Sequence, residues 1–279
     1  MTPRISVDFL DTDRVSVSDR GFTYGDGLFE TLRIARGRAP LWPRHAERLQ
    51  AGCERLRIPP PDPVAVRDEV LRLAEGLDDA VARVTLTRGP GMRGYAPPVS
   101  PHPTLVVSVS PLVLDAAASS DGIALRLCTT RLATQPLLAG LKHLNRLEQV
   151  MARGEWDSPA IGEGLMLDTD GDLVCATAAN LFAVFGGQLM TPPVNRCGVA
   201  GVARAEVLAV REVTEARLNP VRLEDADEVF LTSAVRGILP VRVFGTRSWQ
   251  PGPVTRALQA HWCDIGLPSP SECSKDSDR

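Results

Sequence analysis

The sequence predicts a two-domain protein of the mixed α/β (α+β) class. Its 279 residues are 44% hydrophobic, which is enough for one large core or two modest ones. Segments with strand periodicity alternate with segments of helical periodicity in both halves of the chain. A polar stretch, DAAASSDG, interrupts this pattern near the middle. We therefore expect an N-terminal domain over 1–111, a linker over 112–118 and a C-terminal domain over 119–267.

The first half of the chain alternates strands and helices. RISVDFLD and ETLRIARGRAPLW read as strands, the second turning back at Arg36 and Gly37. RHAERLQAGCERLRI repeats apolar residues every three or four positions and is followed by PPP, which predicts a helix with a defined end. A second helix, PVAVRDEVLRLAEGL, ends at Gly76. Two strands then flank a loop rich in Gly and Pro: AVARVTLTRG and TLVVSVSPLVL.

The second half opens with a strand, IALRLCTT, and a loop that leads to the helix LNRLEQVMARGEW. The segment EGLMLDTDGDLVCATAANLFAVFGGQLMTPP predicts three strands joined by tight turns at its two glycine-containing pairs, 170–171 and 186–187. A helix, GVARAEVLAVREVT, and two strands around a small-residue loop, EVFLTSAVRGILPVRVFG, complete this half. The polar tail over 268–279 is expected to be disordered.

Composition and charge exclude several classes of protein. The net charge of −3 and pI of about 5.9 argue against nucleic-acid binding. No apolar run approaches the roughly 18 residues of a membrane span, and the N-terminus lacks a signal-peptide core. The six cysteines are scattered without a CxxC pair and the four histidines form no HExxH motif. These patterns predict a cytoplasmic protein without a metal site.

Lysine is rare in this chain, which makes one position informative. Of 31 lysines and arginines, only Lys142 and Lys275 are lysines, and Lys275 lies in the polar tail. Lys142 precedes the predicted LNRLEQ helix among leucines, where the helix dipole and burial both favour a neutral amine. Such an amine can form an imine with an aldehyde cofactor, and arginine cannot. A surface lysine is the plainer interpretation, and the position argues against it.

Four further stretches carry weaker signals. SDRGFTYGDGLFETLRI (18–34) and RHAERL (44–49) could be a glycine-rich turn and a surface helix face. CGVAGVAR (197–204) places small residues at a helix N-terminus, which suits either a bound phosphate or tight packing. LTSAVRG (231–237) could form a second wall of a phosphate site. With Lys142 and a cleft between two domains, the set suits pyridoxal 5′-phosphate (PLP), which is an electron sink with an anchored phosphate.

Several motifs resemble the fold-type IV PLP-dependent enzymes. YGDGLFETLRI, RHAERL, LTRGPGMRGY, GLKHLNRLEQVMAR, AANLF and GVAGVAR follow the order of that family over roughly residues 5–250. The family includes branched-chain and D-amino-acid aminotransferases and 4-amino-4-deoxychorismate lyases. GLKHLNRLEQ and RGPGMRGY are more similar to the lyases. The resemblance implies a smaller N-terminal α/β domain, a larger C-terminal domain with a barrel-like sheet, and a homodimer.

The resemblance also implies roles for individual residues. Lys142 would hold PLP and serve as the base, and Thr31 would assist the proton transfers. Arg48 would reach the phosphate, and the remaining phosphate contacts would come from Val202, Ala203, Ser233 and Ala234. Position and charge add three expected substrate contacts: Tyr24, Arg93 and Tyr95.

One position departs from the family pattern. Family members usually place a glutamate at the pyridine nitrogen, five residues before the Asn of NLF, and here that residue is Cys175. Because a thiol does not hold the ring nitrogen protonated as a carboxylate does, we expect a weaker electron sink. An elimination that forms an aromatic ring would tolerate this better than transamination.

The resemblance favours a lyase that forms 4-aminobenzoate, a folate precursor, and pyruvate. A branched-chain or D-amino-acid aminotransferase of the same fold is the alternative. A PLP-binding carrier or regulator without catalysis is a third possibility, which Cys175 keeps open.

Overall fold

The structure is a computed structural model, and it describes residues 2–268. Apart from Pro268, the predicted disordered tail lies outside the described residues. The chain divides into two compact units: residues up to 113 with 141–145, and 114–140 with the residues from 146 onward. The bounds 1–111 and 119–267 stay a prediction about independent domains. Within 2–268, no helix combines the length and apolar character that crossing a membrane requires.

The first unit contains a four-stranded antiparallel sheet in the order β1-β4-β3-β2. Strands β2 and β3 pair along their full lengths, from Gly27 opposite Thr87 to Ala35 opposite Asp79. Alternate residues of β3 and β4 are buried, as expected for a sheet with one covered face. The elements are β1 (Arg4–Val7), α1 (Arg20–Tyr24), β2 (Gly27–Ala35), α2 (Trp42–Leu56), α3 (Pro63–Ala74), β3 (Asp79–Thr87) and β4 (Thr104–Pro111).

The second unit is built on a sheet that closes into a six-stranded barrel. Strands follow the order β8-β11-β12-β5-β6-β7, and β7 pairs back with β8 through Cys175 and Asn180. Strands β9, β10 and β13 extend the sheet outside this ring. The elements are α4 (Ala116–Ser120), β5 (Ile123–Leu132), α5 (Leu147–Arg153), β6 (Ile161–Asp168), β7 (Leu173–Ala176), β8 (Asn180–Phe185), β9 (Gln188–Thr191), α6 (Val202–Val210), β10 (Thr214–Glu215), α7 (Pro220–Glu224), β11 (Glu228–Ser233), β12 (Gly237–Phe244), β13 (Arg247–Ser248) and α8 (Pro253–Asp264).

The predicted mixed α/β class and the barrel-like C-terminal sheet are confirmed. Three details of the sequence interpretation were wrong. The DAAASSDG stretch contains helix α4, because the Asp115 carboxylate accepts a hydrogen bond from the Ala118 N–H and caps a short turn. The segment 161–191 forms four strands, because a turn between β7 and β8 separates Ala176 from Asn180. The chain after Gly37 forms only a bridge from Ala35 to Arg38 before α2 begins.

Candidate active site

Lys142 lies in a short segment, 141–145, that pairs with the start of strand β2. The Phe29 N–H donates to the Lys142 carbonyl at 2.9 Å, and the Leu144 N–H donates to the Gly27 carbonyl at 3.0 Å. These two bonds fix the backbone on both sides of His143. The Lys142 amine Nζ lies 4.2 Å from the centroid of the Phe29 ring. The ammonium or amine is therefore held against an aromatic face, and the side chain is partly buried.

The predicted LNRLEQ helix begins later than expected. Helix α5 starts at Leu147, five residues after Lys142. The intervening chain is used for pairing with β2, and the Asn145 amide donates to the Gly25 carbonyl at 3.1 Å. The lysine is thus positioned by a strand contact and not by a helix N-terminus.

A buried ionic cluster, here called the Glu30 cluster, links strand β2 to helix α2 in the same unit. The Arg48 guanidinium donates to both carboxylate oxygens of Glu30, through Nε at 2.8 Å and through Nη2. The Nδ1 of His45 lies 2.6 Å from Glu30 Oε2. Side-chain exposure is 2% for Glu30, 1% for His45 and 14% for Arg48. The contacts among the three groups offset the cost of burying Glu30 and His45 and of partly burying Arg48.

The charge states of this cluster follow from its contacts. Burial alone would raise the pKa of Glu30, but the Arg48 charge and the hydrogen bonds from His45 and Arg48 lower this pKa to about 2. Burial lowers the pKa of His45, and Glu30 only partly opposes that effect. A neutral His45 then donates from Nδ1 to an ionised Glu30. Its Nε2 has no hydrogen-bond partner within the described part of the chain.

Thr31 shares a strand face with the aromatic ring that contacts Lys142. Residues two apart on a strand point to the same side, so Thr31 and Phe29 lie together on one face of β2. Lys142 Nζ lies over the Phe29 ring, which places its amine on that face. The two residues predicted to handle protons are thus brought to one surface of the first unit.

The predicted substrate loop is attached to helix α1. Arg20 donates to the carbonyls of Gly94 and Tyr95, each at 3.0 Å. The Gly94 N–H donates to the Tyr24 hydroxyl at 3.0 Å, and the rings of Tyr24 and Tyr95 are 5.4 Å apart between centroids. Tyr95 is 86% exposed, and Arg93 is exposed beside it. Tyr24 is partly buried beneath this exposed loop, and the substrate contacts of Tyr24, Arg93 and Tyr95 stay a prediction.

In the second unit, helix α6 begins with free backbone donors. Gly201 occupies the N-cap position and no side chain of the described residues caps the helix. The first N–H groups, on Val202 and Ala203, have no partner within the helix. A Cβ added to Gly201 would lie 2.0 Å from Asn180 Oδ1, so only glycine allows this close approach. Asn180 itself donates to the Val199 carbonyl at 2.9 Å, which ties the loop to β8.

The turn between β11 and β12 carries a second arginine–carboxylate pair. The Ser233 hydroxyl accepts hydrogen bonds from the backbone N–H groups of Val235, at 3.4 Å, and Arg236, at 3.3 Å. The Arg236 Nη2 donates to Glu163 Oε1. The Thr177 hydroxyl donates to Glu163 Oε2 at 2.5 Å. We call Glu163, Thr177 and Arg236 the Glu163 cluster.

Cys175 is buried in the wall of the barrel. It pairs with Asn180 and Met166 on the neighbouring strands and packs in a cluster that includes Trp156 and Cys197. Burial raises the pKa of the Cys175 thiol to about 12. The side chain is therefore neutral near pH 7 and carries no negative charge at the position where the family resemblance implies a carboxylate.

Sequence reasoning missed both ionic clusters. Part of the Glu30 cluster could have been found from the sequence, because His45 and Arg48 are three residues apart and share a face of α2. Glu163 and Arg236 are 73 positions apart along the chain. Nothing local in the sequence indicates that pair.

Comparisons with known proteins place these features in a family. The model of the class IV amino-transferases matches residues 27–244. This match covers most of the chain, and the chain belongs to that family.

Within the family, the chain is similar to lyases and to aminotransferases. It is 37% identical to an aminodeoxychorismate lyase of Vibrio harveyi, over 84% of this chain and 89% of the relative. It superposes on the crystal structure of the 4-amino-4-deoxychorismate lyase of Pseudomonas aeruginosa with a TM-score of 0.89 and 45% identity, covering 94% and 99% of the two chains. A putative branched-chain-amino-acid aminotransferase of Methanocaldococcus jannaschii is 34% identical over 90% of this chain and 91% of the relative.

Proposed function

We propose that this chain is a PLP-dependent lyase that converts 4-amino-4-deoxychorismate to 4-aminobenzoate and pyruvate. One observation carries the proposal: the only lysine within residues 2–268 is fixed beside an aromatic face, in a chain 45% identical to a lyase of that name. A chain that uses arginine elsewhere retains a lysine where amine chemistry is required. The product 4-aminobenzoate would be used for folate synthesis.

The residues present fit PLP. Lys142 would hold the cofactor through Nζ, and Arg48 would contribute charge to the phosphate. The N–H groups of Val202 and Ala203 are unused donors at a helix N-terminus, which favours a phosphate. The Thr232 hydroxyl, next to the predicted phosphate contacts Ser233 and Ala234, is buried without a hydrogen-bond partner in the described part of the chain. A bound phosphate would satisfy donors of this kind.

The reaction requires one proton to move between two carbons. When bound, PLP would supply an electron sink for the charge left when the substrate carbon bearing the amino group loses its proton. Lys142 Nζ is the base that we expect to accept that proton, from C4 of the substrate. The C3–O bond then breaks, enolpyruvate leaves, and the ring becomes aromatic. Lys142, assisted by the Thr31 hydroxyl, would return the proton to the enolpyruvate carbon and complete pyruvate.

The neutral thiol of Cys175 bears on which reaction the site favours. A carboxylate opposite the pyridine nitrogen would strengthen the electron sink, and a thiol with a pKa near 12 does not. Aromatisation supplies driving force to the elimination and not to transamination. Cys175 therefore supports the lyase over the aminotransferase.

An aminotransferase is the second candidate, and the similarity to the Methanocaldococcus jannaschii relative favours it. A homodimer and a cytoplasmic location complete the proposal; the scattered cysteines support a reducing compartment. A carrier or regulator without catalysis would bind PLP and turn nothing over.

The decisive experiment compares Lys142→Ala with Lys275→Ala. The purified wild-type protein should show the visible absorbance of bound PLP and release pyruvate from 4-amino-4-deoxychorismate. Lys142→Ala should lose the covalent absorbance band and at least about a thousandfold of the rate, because both attachment and base are gone. Lys275→Ala, the same substitution at the other lysine, should retain both. The aminotransferase would be favoured by a different pair of results. L- or D-amino acids would convert the cofactor to its amine form, with a 2-oxo acid as acceptor, and no pyruvate would be released from 4-amino-4-deoxychorismate.

A further inference from the structure

The Glu163 cluster contains an arginine whose hydrogen-bonding capacity is only partly used. Arg236 has five N–H donors, and its side chain uses Nη2 to contact Glu163. Within residues 2–268, neither Nε nor Nη1 makes a hydrogen bond. The side chain is 32% exposed, whereas the Glu163 side chain is 6% exposed. The contact with Glu163 therefore leaves most N–H donors of a partly exposed guanidinium unused.

The anchoring is stronger than a single ion pair gives. Glu163 is held on its second oxygen by Thr177 at 2.5 Å, so the carboxylate cannot rotate away from the arginine. The Arg236 backbone is held by the Ser233 hydroxyl. Both ends of the arginine side chain are thus restrained. A pre-oriented guanidinium loses little conformational entropy when it binds a planar anion.

We propose that Arg236 binds a carboxylate of the substrate and contributes to specificity for a dicarboxylate. This inference rests on the proposed function, in which the substrate carries one carboxylate on its ring and another on its enolpyruvyl group. Nη2 carries two N–H groups and Glu163 uses it for one hydrogen bond, so its second N–H remains to form, with Nε or with Nη1, the two-donor edge of a fork–fork arginine–carboxylate pair. The neighbouring residues Ser233 and Ala234 are predicted to contact the cofactor phosphate, so we expect the arginine to lie beside the ligand.

Glu163 is a positioning residue in this scheme. It fixes the direction of Arg236 and balances its charge when no substrate is bound. A guanidinium can donate to two carboxylates through different N–H groups, so the ion pair with Glu163 and a contact with substrate do not compete for the same donors.

The test uses the complete, PLP-loaded enzyme and the variants Arg236→Gln and Arg236→Lys. Gln retains a donor for Glu163 and removes the charge and the fork, and Lys retains the charge alone. For 4-amino-4-deoxychorismate we expect KM to rise about tenfold or more in Arg236→Gln, with kcat changed less than about threefold, since a lost ground-state contact weakens binding without changing the chemical step. Arg236→Lys should recover part of the loss. Arg242→Gln, at an exposed arginine on the adjoining strand β12, is the matched control and should leave KM unchanged.

Binding of the two products, 4-aminobenzoate and pyruvate, shows which substrate carboxylate Arg236 contacts. Titration calorimetry should show weaker 4-aminobenzoate binding in Arg236→Gln if the arginine contacts the ring carboxylate, or weaker pyruvate binding if it contacts the enolpyruvyl carboxylate. An unchanged KM with unchanged binding of both products overturns the inference, and so does a fall in kcat alone. Failure of the proposed function is a separate result, because it appears as absent turnover in the wild-type enzyme.

Discussion

The two units of the molecule each contain a carboxylate paired with an arginine, and the two pairs differ in exposure. In the Glu30 cluster both carboxylate oxygens bind Arg48 or His45; Glu30 and His45 are buried, and Arg48 is 14% exposed. In the Glu163 cluster the carboxylate is equally buried, but Arg236 is 32% exposed and keeps unused donors. The two pairs therefore differ in how many arginine donors remain for a ligand, and we expect them to differ in their contribution to stability.

The two clusters should differ most in how much each contributes to the free energy of unfolding. Glu30→Gln removes the charge that balances a mostly buried Arg48, and breaking a buried pair from one side costs about 3–5 kcal/mol. Glu163→Gln leaves a partly exposed arginine that water can solvate, so we expect a loss of about 1 kcal/mol. Urea denaturation of both variants measures the contrast. The control is Glu47→Gln, exposed on the same helix α2, which should change stability by less than about 0.5 kcal/mol. Equal losses of unfolding free energy in Glu30→Gln and Glu163→Gln would contradict the expectation that the more exposed pair contributes less to stability.

Lowering the pH should remove the contribution of the Glu30 cluster to stability without a mutation. The pKa of Glu30 is lowered from 4.5 to about 2, so its stabilising effect is complete above pH 4.5 and is lost as the pH falls towards 2. The expected loss across this window is up to about 3 kcal/mol. Glu30→Gln should lack this component, and its stability should fall less steeply between pH 4.5 and 2 than that of the wild type. The free energy of unfolding, measured by urea titration at several pH values, gives both slopes. Parallel profiles would mean that Glu30 does not carry the acid sensitivity.

Sequence patterns identified much of this molecule because many of its signals are local. The helix over 44–58 was recognisable from its apolar spacing and from the prolines that follow, and α2 occupies that region. The tight turns at 170–171 and 186–187 were marked by glycine, and both glycine pairs lie between strands. Lys142 stood out by composition alone. Each of these inferences used residues within a few positions of one another.

The features that sequence reasoning missed depend on distant contacts. Helix α5 begins at Leu147 and not at Leu144 because the preceding residues pair with β2, more than 100 positions earlier in the chain. The Glu163–Arg236 pair likewise joins the start of β6 to the turn between β11 and β12. Helix propensity at 144–146 was overridden by this pairing. The site residues implied by the family resemblance, from Arg48 to Ala234, stay predictions until a cofactor is bound.

The smallest expected effect concerns the hydrogen bond that restrains the Glu163 carboxylate. Thr177→Val removes the 2.5 Å contact to Oε2 and preserves the shape of the side chain. Because Arg236 still pairs with Oε1, we expect a stability loss of about 1 kcal/mol, and a two- to fivefold rise in KM as the guanidinium becomes less well oriented. Thr169→Val, an exposed threonine of the same unit, should change neither quantity. A rise in KM larger than that in Arg236→Gln would contradict the order of roles, because a residue that acts through Arg236 cannot matter more for binding than Arg236 itself.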